Sequence, residues 1–323
     1  MIGLGGVGQR HLRNILEICP DTEILSVRKR GRNYEILDDL TIDLSVDLME
    51  KYKIQNFQNI NAAIDEKPDI AVVATPSASH AEICSELLEE GIKVLVEKPA
   101  ATTYDDFNSL VKLSNLENFH VAYQLRYHSC FLKLKDILES NSLGKVTGVE
   151  VSIRSYMPDW HKYEDFKTMY AARKDQGGGV VLTEIHELDL LSYLFGKSEV
   201  LFARQSNVLN LGVEDTILAI VEFNHKNRSI LANIRLSFCQ QTPERHFIVY
   251  CEKGTLEWRL NDNLKISTKE GVKTFEPLEK NRNELFIKLM SNFLNTENGR
   301  PSSFSSSKDG LNCALDILKM IER

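Results

Sequence analysis

Ile2-Gly3-Leu4-Gly5-Gly6-Val7-Gly8, at the start of the chain, carries the pattern GxGxxG. The physics of that spacing is a tight turn, a close approach of backbone to a pyrophosphate, and a helix N-terminus aimed at it. Alone the motif is a weak sign, but its surroundings strengthen it. A helical run follows with Leu12, Ile15, Leu16 and Cys19 on one face, then apolar strands near Glu23–Val27 and Asp69–Ala74. That β-α-β order predicts an α/β dinucleotide-binding fold. One part is out of place. The motif should follow a central strand, and only Met1 and Ile2 precede it. Some four missing apolar residues, at roughly 1.5–3 kcal/mol each, rival a whole domain's stability of about 5–15 kcal/mol. The expectation is a truncated first strand and a short apolar segment encoded upstream of Met1.

Working outward, the end of the first apolar strand meets Arg28, Lys29, Arg30 and Arg32, with no acid. An acid there binds the ribose hydroxyls of NAD, whereas an arginine accommodates the 2′-phosphate of NADP. The reading is NAD(P), leaning to NADP, against the alternative of a solvated basic turn. Asp69 to His80 reads as a buried strand, a turn and a helix start. Ser77 or Ser79 is a candidate cap, and Thr75, Pro76, Ser79 and His80 fall on the cofactor side, with a structural histidine at a helix start the competing reading for His80. Helix Ala81–Glu90, stopped by Gly91, feeds Val94-Leu95-Val96-Glu97-Lys98-Pro99. A short apolar run after such a helix is a buried parallel strand. In open parallel sheets ligands bind beyond the strands' carboxyl ends, so Glu97 and Lys98 arrive at the cofactor rim. A surface Glu-Lys-Pro turn is the plainer alternative. A helix near Tyr104–Ser114 and a strand at Phe119–Tyr123 close this part, with Gln124, a candidate cofactor contact, and Arg126 at its edge. The expected domains are 1–122 and 123–323.

In the second half, Val149, Val151 and Ile153 alternate with Glu150, Ser152 and Arg154. Ile217–Phe223, Ile230–Phe238 and His246–Cys251 are further strands, predicting an α+β domain with a mostly antiparallel open sheet. Ile217–Phe223 is apolar on both faces until Glu222, so a second copy of the chain is expected against one face, as a homodimer or homotetramer. Gly177-Gly178-Gly179 then opens a helix on which Thr183, His186, Asp189 and Tyr193 share one stripe. An imidazole with an unperturbed pKa of about 6.5 suits proton transfer there. A buried structural histidine is the competing reading. Residues 302–307 read as a short linker.

The bulk numbers bound the function. A net charge of −7 with no basic stripe argues against nucleic acid. No apolar run approaches the roughly 20 residues of a membrane span, and no secretory signal is evident. Six scattered cysteines lack metal-ligand spacing, so no metal site is expected and the compartment reads as cytoplasmic.

Taken jointly, GxGxxG at 3–8, the turn at 74–80, Glu97-Lys98-Pro99 and the segment from Gly177 through His186-Glu187-Leu188-Asp189 resemble the glucose–fructose oxidoreductase/inositol dehydrogenase (Gfo/Idh/MocA) family in order and spacing. The resemblance covers almost the whole chain. It implies a Rossmann domain, an α+β domain whose sheet mediates oligomers, and NAD(P)-dependent oxidation or reduction at a sugar carbon. By position it makes Lys98 the lysine on the reacting hydroxyl and His186 the proton-transfer histidine. The family's usual Asp one turn before that histidine is Thr183 here, which leaves Asp189 as the candidate counter-charge. The segments around Tyr156 to His161 and Tyr170 to Arg173 are similar to members from surface-polysaccharide gene clusters. That implies a sugar or nucleotide-sugar substrate touched by Arg126, Arg154, Tyr156, Trp160, His161, Tyr170 and Arg173, although Trp160 is equally consistent with plain packing. Two other readings stay open: a glycosidase working through transient oxidation by bound NAD, and a non-catalytic cofactor-binding scaffold.

Overall fold

Short apolar runs between amphipathic helices build the first of two units, Met1–Ala122 with Arg282–Ser305. The computed structural model describes residues 1–28, 33–39, 41–160, 165–226, 228–259, 263–295 and 302–322. The strands of this unit are β1 (Leu25–Val27), β2 (Glu35–Ile36), β3 (Ile42–Asp43), β4 (Gln55–Phe57), β5 (Ile70–Val73), β6 (Lys93–Val96) and β7 (Phe119–Val121). Its first helices are α1 (Gly6–Ile18), α2 (Leu48–Lys51), α3 (Ile60–Ile64), α4 (His80–Glu89) and α5 (Tyr104–Val111). β4 pairs with β1, and β5-β6-β7 form a second group, all parallel. Ile2 bridges both groups through Val27 and Val73. Its N–H donates to the Val72 carbonyl at 2.8 Å, and its own carbonyl accepts from Ala74 N–H at 2.8 Å. Thus one residue stands where the sequence calls for a first strand. Val72, Val73, Val94, Leu95 and Val96 are all buried, as strands covered on both faces must be.

The second unit is Tyr123–Asn281 with Ser306–Arg323. It contains α6 (Ser129–Glu139), β8 (Val146–Tyr156), α7 (Val180–Thr183), α8 (His186–Phe195), β9 (Ser198–Ser206), β10 (Thr216–His225), β11 (Arg228–Ser237), β12 (Cys239–Cys251), β13 (Gly254–Arg259), β14 (Leu264–Thr268) and β15 (Gly271–Phe275). The strand order is β15-β14-β13-β12-β8-β11-β10-β9, antiparallel except for β8 beside β11. Period-2 alternation sorts the faces. Ile217, Ala219, Val221 and Phe223 of β10 are buried with Ile230, Ala232, Ile234 and Leu236 of β11, while Leu218, Ile220 and Leu231 are exposed. α8 packs on β8 and β10. No helix among the described residues is long and apolar enough to cross a membrane.

The chain does not divide once. After β15, α9 (Asn283–Leu294) returns to the first unit before α10 (Phe304–Ile321) ends the fold, whereas the sequence places all of 123–323 in one domain. Aromatic packing accounts for the return: Phe286 lies edge-on to His11 at 5.8 Å and Phe293 edge-on to His120 at 5.4 Å. The supposed linker at 302–307 is also corrected. Ser302 and Ser307 are buried, the Ser302 carbonyl accepts Val121 N–H at 2.8 Å, and Phe304 stacks on Phe119 at 4.8 Å. A serine-rich composition does not make a loop when its backbone pairs with a strand edge. Phe304→Ala should therefore lower the unfolding free energy by about 3–5 kcal/mol in urea titrations. A linker residue would leave the midpoint unmoved.

Candidate functional site

In the first unit the glycine turn separates three jobs. Gly3 has φ +89°, and a Cβ there would stand 2.5 Å from the Ala74 carbonyl oxygen. A Cβ on Gly8 would stand 2.4 Å from the Gly3 carbonyl oxygen, so these two positions close the turn and seat the helix. At Gly5 a Cβ would meet nothing among the described residues within 4 Å. Gly6 and Val7 begin α1, whose N-cap Gly5 makes no side-chain cap bond and whose first turn holds no acid. Free helix N–H groups and the positive end of the helix dipole thus face an open approach, which fits a dinucleotide pyrophosphate.

The neighbouring strand ends carry Thr75 and Lys98. The Thr75 and Ser79 hydroxyls lie 2.8 Å apart. Pro76 leads into a short 3-10 turn at Ser77–Ser79, and neither serine caps α4. Glu97 and His80, which the sequence puts on the cofactor side, have side chains turned into the unit. His80 Nδ1 and Nε2 lie 2.7 Å and 2.8 Å from the Pro99 and Thr75 carbonyl oxygens, and burial lowers the ring's pKa. Glu97 Oε1 bonds to His11 Nε2 at 2.8 Å. Burial pushes the Glu97 carboxyl up, but the His11 bond and the charges of His11, Lys98 and His80 hold it below the ordinary range. His11 escaped the sequence reading; its one signal is a histidine among the buried positions Gly8, Leu12 and Ile15 of α1. At the end of β1, Arg28 donates to Asn33 Oδ1 at 2.7 Å and Asn56 Oδ1 at 3.3 Å. Lys29, Arg30 and Arg32 lie outside the described residues.

In the second unit the predicted helix after the triple glycine is broken. Thr183 ends α7, Glu184 and Ile185 intervene, and buried His186 begins α8. Gln124 Nε2 lies 3.4 Å from His186 Nε2, and the Tyr123 ring stands edge-on to the imidazole at 5.8 Å. Asp189 does not serve as the imidazole's counter-charge. It accepts both Arg126 Nε at 2.7 Å and Nη2 at 2.5 Å, in a pair 1% or less exposed. Arg126 also lies 4.2 Å over the Tyr193 ring. Arg126 is therefore an interior residue and not a substrate contact. A bidentate carboxylate partner outcompetes the one-turn spacing on which the sequence reading relied.

Arg154 is likewise corrected. It pairs with Glu244, its register partner on β12. The next residue, Arg245, bonds Glu187 of α8 at 2.5 Å and 3.0 Å. Successive residues alternate faces, so Arg154 lies on the sheet face away from α8. Tyr156 ends β8 half-buried, Trp160 stands edge-on to Phe238 at 5.0 Å, and Tyr170 is 36% exposed. Arg173 pairs with Asp175 at 2.6 Å on the surface. His161 lies outside the described residues. Glu214 is a further group that spacing did not mark. Its carbonyl accepts Val180 N–H at 3.0 Å and its carboxylate accepts Val181 N–H at 3.2 Å, fixing the start of α7. Gly179, φ +106°, leaves room there for hydrogen only.

Comparison with known proteins gives two family matches. Residues 1–124 match the oxidoreductase family with an NAD-binding Rossmann fold, and residues 131–257 match the GFO/IDH/MocA C-terminal domain. Inositol 2-dehydrogenase of Salmonella typhimurium is 22% identical over 267 residues, spanning 80% of this chain and 72% of its own. The structure of the WlbA dehydrogenase from Bordetella pertussis, in complex with NADH and UDP-GlcNAcA, superposes with a TM-score of 0.76 at 18% identity, covering 99% of this chain and 94% of that one. Biliverdin reductase from Synechocystis, in complex with biliverdin and NADP+, reaches 0.77 at 16% identity, covering 100% and 98%. The shared fold therefore accommodates substrates of unlike chemistry.

Burial pushes the Glu214 carboxyl up to about 7, with Lys174 opposing and Glu322 adding to the rise. The folded state then holds a proton that the unfolded chain releases near the ordinary value of 4.5. Its contribution is complete below about pH 4.5 and is lost as pH rises through about 7. Stability of the native protein minus that of Glu214→Gln should fall by about 2–3 kcal/mol across this window, read from urea midpoints at each pH. A flat difference contradicts the expectation.

Proposed function

The chain belongs to the Gfo/Idh/MocA family of NAD-binding oxidoreductases, and from that premise we propose that it transfers a hydride between a nicotinamide dinucleotide and a hydroxyl-bearing carbon of a sugar or nucleotide sugar. The observation that carries the reading is the open approach at Gly5 beside an uncapped helix start, with Lys98 at the end of a strand in the same parallel sheet. Kinship supports the substrate class, through a relative named for inositol and a neighbour solved with UDP-GlcNAcA. A nucleotide-sugar substrate is the basis for proposing a role in surface-glycan biosynthesis.

When bound, the nicotinamide accepts or returns the hydride at its C4. In the oxidative direction the substrate C–H bond breaks with its electron pair, the hydroxyl proton passes to His186, and the C–O bond becomes a carbonyl. The Lys98 ammonium stabilises the negative charge that develops on oxygen as that proton leaves. Gln124 steadies the imidazole, and Thr183 supplies a hydroxyl one turn before it. Thr75, Pro76 and Ser79 border the nicotinamide side. Tyr156, Trp160, His161, Tyr170 and Arg173 are the proposed substrate contacts, the aromatics for a sugar face and the arginine for a diphosphate. Arg28 is the proposed partner of a 2′-phosphate, which makes NADP the proposed form. A cytoplasmic location accords with the lack of any disulfide among the six cysteines.

Lys98→Met tests the assignment. Against a panel of inositols, sugars and UDP-sugars, absorbance at the nicotinamide band should report a kcat at least about 100-fold below wild type. Fluorescence titration should find dinucleotide affinity nearly unchanged, and tighter for NADPH than for NADH. Unchanged turnover or a matching loss of cofactor affinity overturns the role of Lys98; tighter NADH binding overturns the choice of NADP.

The outward sheet face around Leu218, Ile220 and Leu231 is the proposed contact between copies of the chain. Light scattering should return a dimer or tetramer at micromolar concentration, and a monomer overturns this.

A further inference from the structure

Arg28 leaves β1 beside the glycine turn, because the Gly3 N–H donates to the Val27 carbonyl at 3.0 Å. Two asparagines hold its side chain. Asn56 of β4 is the register partner of Ser26. Its Oδ1 accepts both the Ser26 hydroxyl at 2.9 Å and Arg28 Nε at 3.3 Å. Asn33 Oδ1 accepts Arg28 Nη2 at 2.7 Å. Asn33 is itself fixed from two sides. Its carbonyl accepts the Leu48 N–H at 2.6 Å, and its Nδ2 donates to Asp47 Oδ2 at 2.9 Å. The residues that follow are tied to the glycine turn by Gln9 of α1, which is 1% exposed. Gln9 Nε2 donates to the Leu4 and Tyr34 carbonyls, each at 3.2 Å, and its Oε1 accepts the Ile36 N–H at 2.7 Å. The guanidinium is thus gripped through Nε and Nη2 by the same framework that builds the turn.

We propose that Asn56, together with Asn33, is a positioning residue for Arg28, aiming its guanidinium at the 2′-phosphate of the dinucleotide before the ligand arrives. An arginine has many rotamers, and a ligand that must select one of them loses affinity. Side chains that hold the guanidinium in advance remove that cost. Both acceptors are neutral amide oxygens, which direct the N–H groups without pairing their charge. A carboxylate in either place would offer an ion pair that competes with phosphate. Asp47 is kept one step back: Asn33 stands between it and Arg28, and its Oδ1 caps α2 through the Met49 and Glu50 N–H groups. This role rests on the NADP reading above and names the residues that would make Arg28 selective.

Calorimetric binding of two fragments to the full chain tests this without turnover. Adenosine 2′,5′-bisphosphate carries the 2′-phosphate and 5′-AMP lacks it. Wild type should bind the bisphosphate more tightly. Asn56→Leu, which keeps the bulk and removes the acceptor, should weaken the bisphosphate by about 3- to 10-fold and leave 5′-AMP unchanged. In an Arg28→Ala background the same substitution should do nothing further, because Asn56 acts through Arg28. Equal losses for both fragments mark a merely structural asparagine and overturn the role, as does a loss that persists without Arg28. No change in either fragment also overturns it while the NADP reading stands. If wild type itself shows no preference for the bisphosphate, the NADP reading falls and takes this role with it. Should Asn56→Leu fail to fold, the smaller polar Asn56→Ser is read in its place with the same outcomes.

Discussion

Parallel strands linked by helices must all run the same way, and that constraint brings their carboxyl ends to one rim. Thr75 follows β5 and Lys98 follows β6, and the two strands are neighbours. The glycine turn joins them because Ile2 bonds to Val72 and Ala74 on the flanking strand. Close contact between Gly3 and Ala74 leaves no slack in this arrangement. A helix start, a hydroxyl and an ammonium therefore come together through backbone pairing alone, before any side chain selects a partner. Burial on both faces supplies the driving force, and the apolar runs of β5 and β6 show it in the sequence.

The second unit obeys a different logic. The two carboxylates of α8 are settled by pairing inside the fold. Arg126 and Asp189 are 63 residues apart in sequence and nearly sealed from water. Glu187 and Arg245 tie α8 to β12 in the same way. Taking such charges out of water is costly, and the geometry must be good to offset it. Bidentate contacts of this kind add geometric specificity to how α8 is held.

These two logics explain what could be read from the chain. The glycine turn, the strand before Lys98 and the alternation of β8 are local patterns of period or spacing, and local patterns survive translation into structure. The break between α7 and α8 did not show, because Thr183, His186 and Asp189 keep helical spacing across a residue that leaves the helix. Arg126, Arg154 and Asp189 were misplaced for a common reason. Spacing tells which side of an element a residue occupies, but the partner that captures a charge comes from distant sequence. His11 was invisible for the same cause, as its partner Glu97 lies 86 residues away. Phe304 was hidden by the serines around it, although its own hydrophobicity was the better guide.

The glycine turn has one more consequence. Gly3 and Gly8 answer to the fold itself, since a Cβ at either would collide with a carbonyl oxygen. Gly5 answers to nothing among the described residues. A methyl group added there would find empty space, so the unliganded molecule would not register the change. The room beside that one hydrogen atom is left for what visits the turn. Folding and ligand recognition, superimposed in a six-residue motif, are thereby separable one glycine at a time.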